Sequence, residues 1–322
     1  MHILGRAGRC WLMKVTEAVL LARRADDWGR WPSIGFRARQ LAPVANKPIL
    51  FHALERLEAA GVRRVAMVVD EETRPEIAAA VGDGARWGAA VRYIDGERGP
   101  VGPALTAARE HLGGPPYLLQ DGDVVMQRPL GELGRHFSEA GLDALVLRHG
   151  AGPAPRTGYI VGGDAADALC AGEDFGRLRV DVLDIEACTP CRGGQDALLD
   201  ANRCLLDEMA ATDEADARVQ GRAWIHPSAR LTRSVVRGPA VIGPEAEIRD
   251  AYIGPYTSIG ARAVIEGAEI ENSIVLDEAS VHFVPSRIES SVIGRGARIG
   301  VDFRLPRSMR LSVGEHAVVT LH

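Results

Sequence analysis

Two aspartates that could carry chemistry, Asp121 and Asp123, come directly after the apolar run Tyr117–Gln120. If this run is a strand of a parallel sheet, both carboxylates lie at its carboxyl end, where such sheets hold their ligands. A carboxylate there can act as a general base or bind a divalent cation. The Asp-Gly-Asp order also suits a turn that the two aspartates only cap, and both interpretations stay open.

Basic and aromatic residues follow an earlier apolar run, Ala18–Ala22, and we expect them to line the same edge of the sheet. Their guanidinium groups could hold an anion, and their indole rings suit an organic, cyclic ligand. An ordinary solvated loop, with tryptophans that pack a shrunken core, is the competing interpretation. The residues in question are Arg23, Arg24, Trp28, Arg30 and Trp31.

Cys188 and Cys191 form a C-x-x-C pair, a spacing found in zinc and redox sites. No second pair stands at the spacing of a zinc site, so we expect two buried or idle thiols and predict no metal site. Five cysteines, an odd number in a chain of 322 residues, favour a reducing compartment over a disulfide framework. The cytoplasm is therefore the expected location.

The elements that must position these residues alternate between short apolar strands and amphipathic helices over residues 13–211, as in a helix-covered parallel sheet. Ala18–Ala22 is the first predicted strand, and a helix runs from Pro48 to a stop at Gly61. The other predicted strands cover residues 64–69, 91–94, 117–120 and 144–147, and the other helices residues 73–81, 103–112 and 130–139. We therefore predict an α/β, Rossmann-like domain.

A six-residue repeat of aliphatic residues begins after the polar segment 212–220. This period predicts a parallel β-helix over residues 221–322, in which each coil buries its aliphatic side chains against the next. Such coils commonly serve oligomerisation or packing, so we expect a homo-oligomer, with the β-helix as one candidate interface. The repeating residues include Ile225 and Leu231, Ile242 and Ile248, and Ile253, Ile259 and Ile265.

Composition excludes two classes of partner. The formal net charge of −5 leaves no basic excess to neutralise nucleic-acid phosphates. No apolar run is long enough to span a membrane, and residues 1–12 lack the apolar core of a signal peptide. We expect residues 1–12 to be an extension with little structure, and Met13 is an alternative start.

The run Leu41–Leu50, Leu-Ala-Pro-Val-Ala-Asn-Lys-Pro-Ile-Leu, resembles the signature of the sugar-1-phosphate nucleotidyltransferases, and especially of the long glucose-1-phosphate thymidylyltransferases of antibiotic pathways. The resemblance implies a Rossmann-like domain followed by a left-handed β-helix of hexapeptide repeats. It also implies transfer of a nucleotide to a sugar phosphate, catalysed by positioning and charge neutralisation. The devices it implies are a phosphate-binding glycine loop, two basic residues and Mg²⁺ held by carboxylates.

Several positions of the family's phosphate-binding loop hold other residue types here. Its glycines fall on Arg23, Arg24 and Asp26, and its arginine falls on Trp28. Side chains at glycine positions crowd an approaching phosphate and disfavour the backbone conformation that binds it. A lysine of the family becomes Arg39, which keeps the charge but not the geometry of an ammonium group.

The two carboxylates that hold Mg²⁺ in the family are not both retained. The first matches Asp123, whereas the second falls on Cys191, whose soft sulfur disfavours Mg²⁺. The family's sugar segment matches only around Arg156–Val161, and much of the family's next segment is absent. We therefore expect no cofactor, with Mg²⁺ only if the family's reaction is retained.

The sequence is compatible with three hypotheses for the function. In the first, the chain has lost nucleotidyl transfer and reuses its cleft for another small molecule in secondary metabolism, with Asp123 or Asp121 as the catalytic base. In the second, it is an active enzyme of the thymidylyltransferase type with a rewired loop. In the third, it is a non-catalytic scaffold or regulatory partner of an active paralogue. The cleft residues of the first hypothesis are Arg23, Arg24, Trp28, Arg30, Trp31, Arg39, Gln120, Arg156 and Tyr159.

Overall fold

A computed structural model describes residues 14–23, 38–96, 99–149, 156–188, 194–209, 219–302 and 308–309. The chain forms two compact units. The first unit takes residues 1–23, 54–122 and 126–187, and the second takes 24–53, 123–125 and 188–322. No helix in the described part is long and apolar enough to cross a membrane. The predicted domain limits, 13–211 and 221–322, stay predictions.

Short strands and helices alternate through the first two thirds of the chain. Two single turns of 3₁₀-helix, Arg39–Leu41 and Ala85–Trp87, accompany them. In chain order the elements are β1 (Glu17–Ala22), β2 (Pro43–Val44), β3 (Lys47–Pro48), α1 (Ile49–Ala60), β4 (Arg64–Val69), α2 (Arg74–Val81), β5 (Ala90–Asp95), α3 (Val101–Arg109), β6 (Tyr117–Asp121), β7 (Val125–Met126), α4 (Leu130–Glu139), β8 (Ala144–Arg148), β9 (Arg156–Val161), α5 (Gly163–Ala171), β10 (Val180–Asp184), β11 (Ala187–Cys188) and α6 (Gln195–Asp207).

The first unit is built on a seven-stranded sheet in the order β10-β8-β9-β6-β1-β4-β5. Strand β9 runs antiparallel to β6 and β8, and the other neighbouring strands of this sheet are parallel. The predicted Rossmann-like α/β architecture is confirmed. Every residue of β1 is buried, because β1 lies in the middle of the sheet with helices over both faces.

Strands β9 and β10 were not among the predicted strands, since glycine and charged residues interrupt their apolar pattern. In β9, Gly158 lies opposite Gln120 of β6. A Cβ at Gly158 would stand 2.7 Å from the carbonyl oxygen of Leu119, so a glycine is needed where the two strands approach closely.

The second unit carries a parallel β-helix, as the repeat predicted. Its strands stack into three sheets of parallel strands, consistent with the left-handed type, and an antiparallel last strand extends one of them. The strands are β12 (Val219–Gln220), β13 (Ala223–Ile225), β14 (Arg230–Thr232), β15 (Val235–Arg237), β16 (Ala240–Ile242), β17 (Glu247–Arg249), β18 (Tyr252–Ile253), β19 (Thr257–Ile259), β20 (Val264–Glu266), β21 (Glu269–Glu271), β22 (Ile274–Val275), β23 (Ser280–His282), β24 (Ile288–Glu289), β25 (Val292–Ile293), β26 (Arg298–Asp302) and β27 (Ser308–Met309).

The repeated aliphatic residues form the core of the β-helix. Ile242 pairs with Ile259, and Ile248 pairs with Ile265, so one coil takes 17 residues at these positions. All four side chains are fully buried. A Cβ at Gly260 would stand 2.5 Å from the backbone nitrogen of Asp277 in the next coil. This close approach explains why a glycine follows Ile259.

The run Leu41–Leu50 contains a β-hairpin that the sequence did not predict. Strands β2 and β3 pair in antiparallel register, and Ala45 and Asn46 between them both have positive φ, 48° and 61°. This is the backbone of a two-residue type I′ turn, in which asparagine is common. The side chain of Asn46 donates a hydrogen bond to the carbonyl oxygen of Ile259 in β19.

Asn202 of α6 connects the hairpin to the β-helix within the second unit. It is fully buried. Its Oδ1 accepts hydrogen bonds from the backbone nitrogen of Ala45 at 2.8 Å and from Oγ of Ser258 at 2.6 Å. Its Nδ2 donates to the carbonyl oxygen of Tyr256 at 3.0 Å. One amide therefore satisfies polar groups of two segments that are distant in sequence, the hairpin turn and residues 256–258 of the β-helix.

Replacing Asn202 by alanine should lower the free energy of unfolding by about 1–3 kcal/mol, because polar groups of the hairpin turn and of the β-helix lose their buried partner. Urea denaturation measures the change. Asp200→Ala is the matched control, since Asp200 is exposed on the same helix and should change stability by less than about 0.5 kcal/mol. Equal effects of the two substitutions would show that the amide does not hold the segments together.

Candidate functional site

Three adjacent strands of the first unit end in charged residues. Arg23 follows β1, Asp70 follows β4, and Asp121 is the last residue of β6, with β1 between the other two. The guanidinium of Arg23 is half-buried, and burial lowers its pKa, whereas the carboxylates of Asp121 and Asp70 act in the opposite direction. The cation thus stands among two carboxylates at the edge of the sheet where α/β proteins bind their ligands.

Asp70 is a site residue that the sequence reasoning missed, although it directly follows a predicted strand. Its Oδ1 accepts hydrogen bonds from the backbone nitrogen and from Oγ1 of Thr73, both at 2.8 Å. The carboxylate therefore also shapes the turn that leads into α2. Thr73 is buried, and its hydroxyl lies 3.4 Å from the carbonyl oxygen of Ala22 at the end of β1.

Gln120 and Tyr159 were both expected to line the cleft. The structure places Gln120 near a strand end and the ring of Tyr159 in the apolar core. Gln120 is buried in β6, one residue before Asp121, so it belongs to the same strand end. The ring of Tyr159 packs edge-on against Phe175 at 6.3 Å, within the apolar core on the α3 and α5 face of the sheet. The structure therefore gives the ring of Tyr159 a packing role.

An ion pair between Arg39 and Asp123 lies within the second unit. Nη2 of Arg39 is 2.9 Å from Oδ2 of Asp123, and the two side chains are only 10% and 5% exposed. Arg39 is held in the 3₁₀ turn Arg39–Leu41, immediately before the hairpin. Two buried charges at this distance attract each other strongly, because little water screens them.

This ion pair bears on whether the chain can hold the family's Mg²⁺. Mg²⁺ requires several hard oxygen ligands in near-octahedral geometry. The one carboxylate that matches the family pattern, Asp123, is already neutralised by Arg39, and the position of the second carboxylate is Cys191. The described residues contain no group of three or more His, Cys, Asp or Glu side chains that could hold a metal ion. The residues present do not fit Mg²⁺.

Several predicted site residues lie outside the described residues. They are Arg24, Trp28, Arg30, Trp31 and Cys191, together with the side chain of Arg156, of which only the backbone in β9 is described. The β-helix has two histidines within the described residues, His226 and His282. His226 is hydrogen-bonded to Ser228 at 2.8 Å in its own turn, and His282 lies 3.3 Å from Glu266.

Cys188, expected to be a buried or idle thiol, is buried but forms a disulfide with Cys204 of α6, so the expectation of a free thiol was wrong. The two cysteines are 16 residues apart, with Cα atoms 6.3 Å apart. Helix α6 brings Cys204 beside the end of β11, a proximity that sequence spacing does not reveal. The bond closes a loop that contains Cys191, the position of the family's second metal carboxylate.

Substituting either partner of the Arg39–Asp123 pair should destabilise the protein by about 3–5 kcal/mol, since an unpaired charge would stay buried. We expect Arg39→Met and Asp123→Asn to show this loss in urea denaturation, and the double variant to lose less than their sum. The control is the exposed pair Arg74–Asp95. Arg74→Met and Asp95→Asn should each lower the free energy of unfolding by less than about 1 kcal/mol. Additive effects at Arg39 and Asp123 would argue against the ion pair.

Removing the disulfide by Cys204→Ser should lower stability by about 3 kcal/mol, because the unfolded chain loses the constraint of a closed loop of this length. The melting temperature of the wild type should fall in dithiothreitol, and that of the variant should not. Cys170→Ser is the control, as Cys170 is a free cysteine. A wild-type melting temperature that is insensitive to reductant would contradict the bond.

Comparison with known proteins places these observations in a family. The sequence model described as "Nucleotidyl transferase" matches residues 33–170, and the one described as "GMPPB C-terminal domain" matches residues 219–320. A solved structure from Bacillus anthracis, described as a glucose-1-phosphate thymidylyltransferase, superposes with a TM-score of 0.51 at 14% identity. It covers 61% of this chain and 97% of that chain, and at this identity it shows the fold alone.

Two curated relatives are more similar in sequence. The glucose-1-phosphate thymidylyltransferase of Streptomyces antibioticus is 31% identical, with 88% of this chain and 94% of the relative covered. That of Streptomyces griseus is 32% identical, with 87% and 92% covered. The first alignment has 336 positions but includes only about 283 residues of this chain, 88% of 322, so about 50 positions have no counterpart here. With this coverage and identity, the chain belongs to the sugar-1-phosphate nucleotidyltransferase family.

Proposed function

We propose that this chain is a diverged nucleotidyltransferase that has lost Mg²⁺-dependent nucleotidyl transfer and binds another small molecule at the carboxyl ends of its strands, in secondary metabolism. The observation that carries the proposal is the buried ion pair between Arg39 and Asp123. Transfer to a sugar phosphate needs positive charge on the phosphates and a metal ion between them. Here the carboxylate that matches the family, Asp123, and the basic residue at the family's lysine position, Arg39, neutralise each other.

Arg23 supports the proposal from the side of the phosphate-binding loop. By the family resemblance its position is a glycine of that loop, whose backbone nitrogens approach the phosphates closely. Here a guanidinium extends from this position, half-buried among the carboxylates of Asp70 and Asp121. A triphosphate would meet two carboxylates in addition to the cation, so the strand ends suit a ligand with less negative charge.

The shortened chain supports the same conclusion. About 50 positions of the Streptomyces antibioticus enzyme have no counterpart here. By the resemblance, a segment that recognises the sugar follows β9 in the family, and in this chain α5 and β10 follow β9 directly. Both halves of the family's active site are thus altered, and the changes act against the same reaction. The homo-oligomer and the cytoplasmic location stay predictions.

An active thymidylyltransferase-like enzyme is the second candidate. The observation that favours it is the identity of 31–32% to two glucose-1-phosphate thymidylyltransferases over more than 90% of their length. Such an enzyme would have to release Asp123 from Arg39 when substrate binds and supply loop contacts from residues 24–37.

Pyrophosphate release from deoxythymidine triphosphate and glucose 1-phosphate, with Mg²⁺, separates the two candidates. We expect turnover at least about 10³-fold slower than that of the Streptomyces antibioticus enzyme run in parallel, because several charge-stabilising groups are missing. Isothermal titration should show no micromolar binding of the triphosphate. Turnover within tenfold of the relative, or micromolar binding, would establish the second candidate.

A restored variant gives the internal control. Arg39→Lys together with Cys191→Asp returns two family residues and should recover measurable Mg²⁺ binding if the loss is local.

Reuse of the cleft is read out by native mass spectrometry of the protein incubated with a metabolite extract. A bound small molecule that Arg23→Gln or Asp121→Asn releases supports it, and binding unchanged in both variants contradicts it.

A further inference from the structure

A cavity of about 240 Å³ lies in the first unit, between the sheet and α4. Its apolar wall comes from Leu118 of β6 and Ile160 of β9, which pair directly in the sheet, and from Val62 and Leu130. Residues 14 and 15, which precede β1, also line it. The cavity is therefore at the amino-terminal edge of β1, about 20 Å along the strand from Arg23.

Two glycines of α4, Gly131 and Gly134, line this cavity. Because they have no side chains, the space beside them stays open. A Cβ at Gly131 would meet no atom within 4 Å, and one at Gly134 would make an ordinary contact of 3.5 Å with Val15. Neither glycine is needed for close packing, although glycine is among the least favourable residues inside a helix. Side chains at these positions would fill the space.

The rim of the cavity is positively charged. Lys14 and Arg135 both line it, and both side chains are exposed. Nζ of Lys14 lies against Gly61, where α1 ends and a helix favours positive charge. Neither Lys14 nor Arg135 forms an ion pair or hydrogen bond within the described part of the chain. The nearest acid along α4, Glu132, is instead paired with Arg128 at 3.5 Å.

We propose that this cavity binds a small carboxylate with a compact apolar body, whose anionic group meets Arg135 and Lys14. The apolar wall of the cavity would contact the apolar body of the ligand. The volume of the cavity limits the size of that body. An apolar cavity of roughly 150 Å³ holds a benzene ring, so this one suits a substituted ring or a short chain. The site is separate from the strand ends that bear Arg23 and Asp121, and it does not rest on the function proposed for them.

The probe for the test is 4-(trifluoromethyl)benzoate, followed by broadening of its ¹⁹F signal with the full-length protein. We expect binding with a dissociation constant below about 1 mM, a modest affinity for a ligand of this size. Neutral 4-(trifluoromethyl)benzyl alcohol should bind at least fivefold more weakly. Gly131→Leu should abolish binding by filling the cavity, and Arg135→Gln should weaken it at least fivefold.

Folding is controlled within the same set of variants. Gly131→Leu should melt no lower than the wild type, because leucine favours a helix and a Cβ at this position meets no atom within 4 Å. Asp121→Asn, at the opposite edge of the sheet, should bind the probe as the wild type does. No broadening up to 5 mM, equal binding of the alcohol, or binding retained in folded Gly131→Leu would each overturn the proposal.

Discussion

The buried amide of Asn202 is the contact on which the second unit depends. It accepts from the turn of the β2–β3 hairpin and from Ser258, and it donates to Tyr256 of the β-helix. The hairpin turn needs two residues with positive φ, and the backbone nitrogen of Ala45 within it is partly buried beside α6. One side chain with both a donor and an acceptor satisfies these groups together, which an apolar residue could not do. The family signature Leu41–Leu50 is thus explained by packing as well as by chemistry.

Each unit pairs charged candidate-site residues with opposite charges of the same unit. Arg39 neutralises Asp123, and Arg23 stands among Asp70 and Asp121. In a metal-dependent transferase, carboxylates at such positions are left for the cation, and basic residues are left for the phosphates. Here the carboxylates of Asp123, Asp70 and Asp121 each stand beside a guanidinium of their own unit.

The sheet of the first unit offers two edges of different character. At the carboxyl edge, charged and polar residues end three adjacent strands. At the amino edge, apolar side chains and two glycines of α4 surround a cavity with a basic rim. The same sheet therefore presents charged side chains at one edge and borders an apolar cavity at the other.

The sequence by itself determined the order of the first strands and helices and the β-helix, because apolar periodicity and turn residues are local signals. The family was indicated by the resemblance of the run Leu41–Leu50 to a known signature. It also identified Asp121, Asp123 and Arg39 as residues of interest. Only the tertiary structure decided that Arg39 pairs with Asp123, that Cys188 bonds to Cys204 and not to Cys191, and that Tyr159 packs in the core. These outcomes depend on which segments the fold brings together over long separations, and no pattern within a short stretch of chain encodes such proximity.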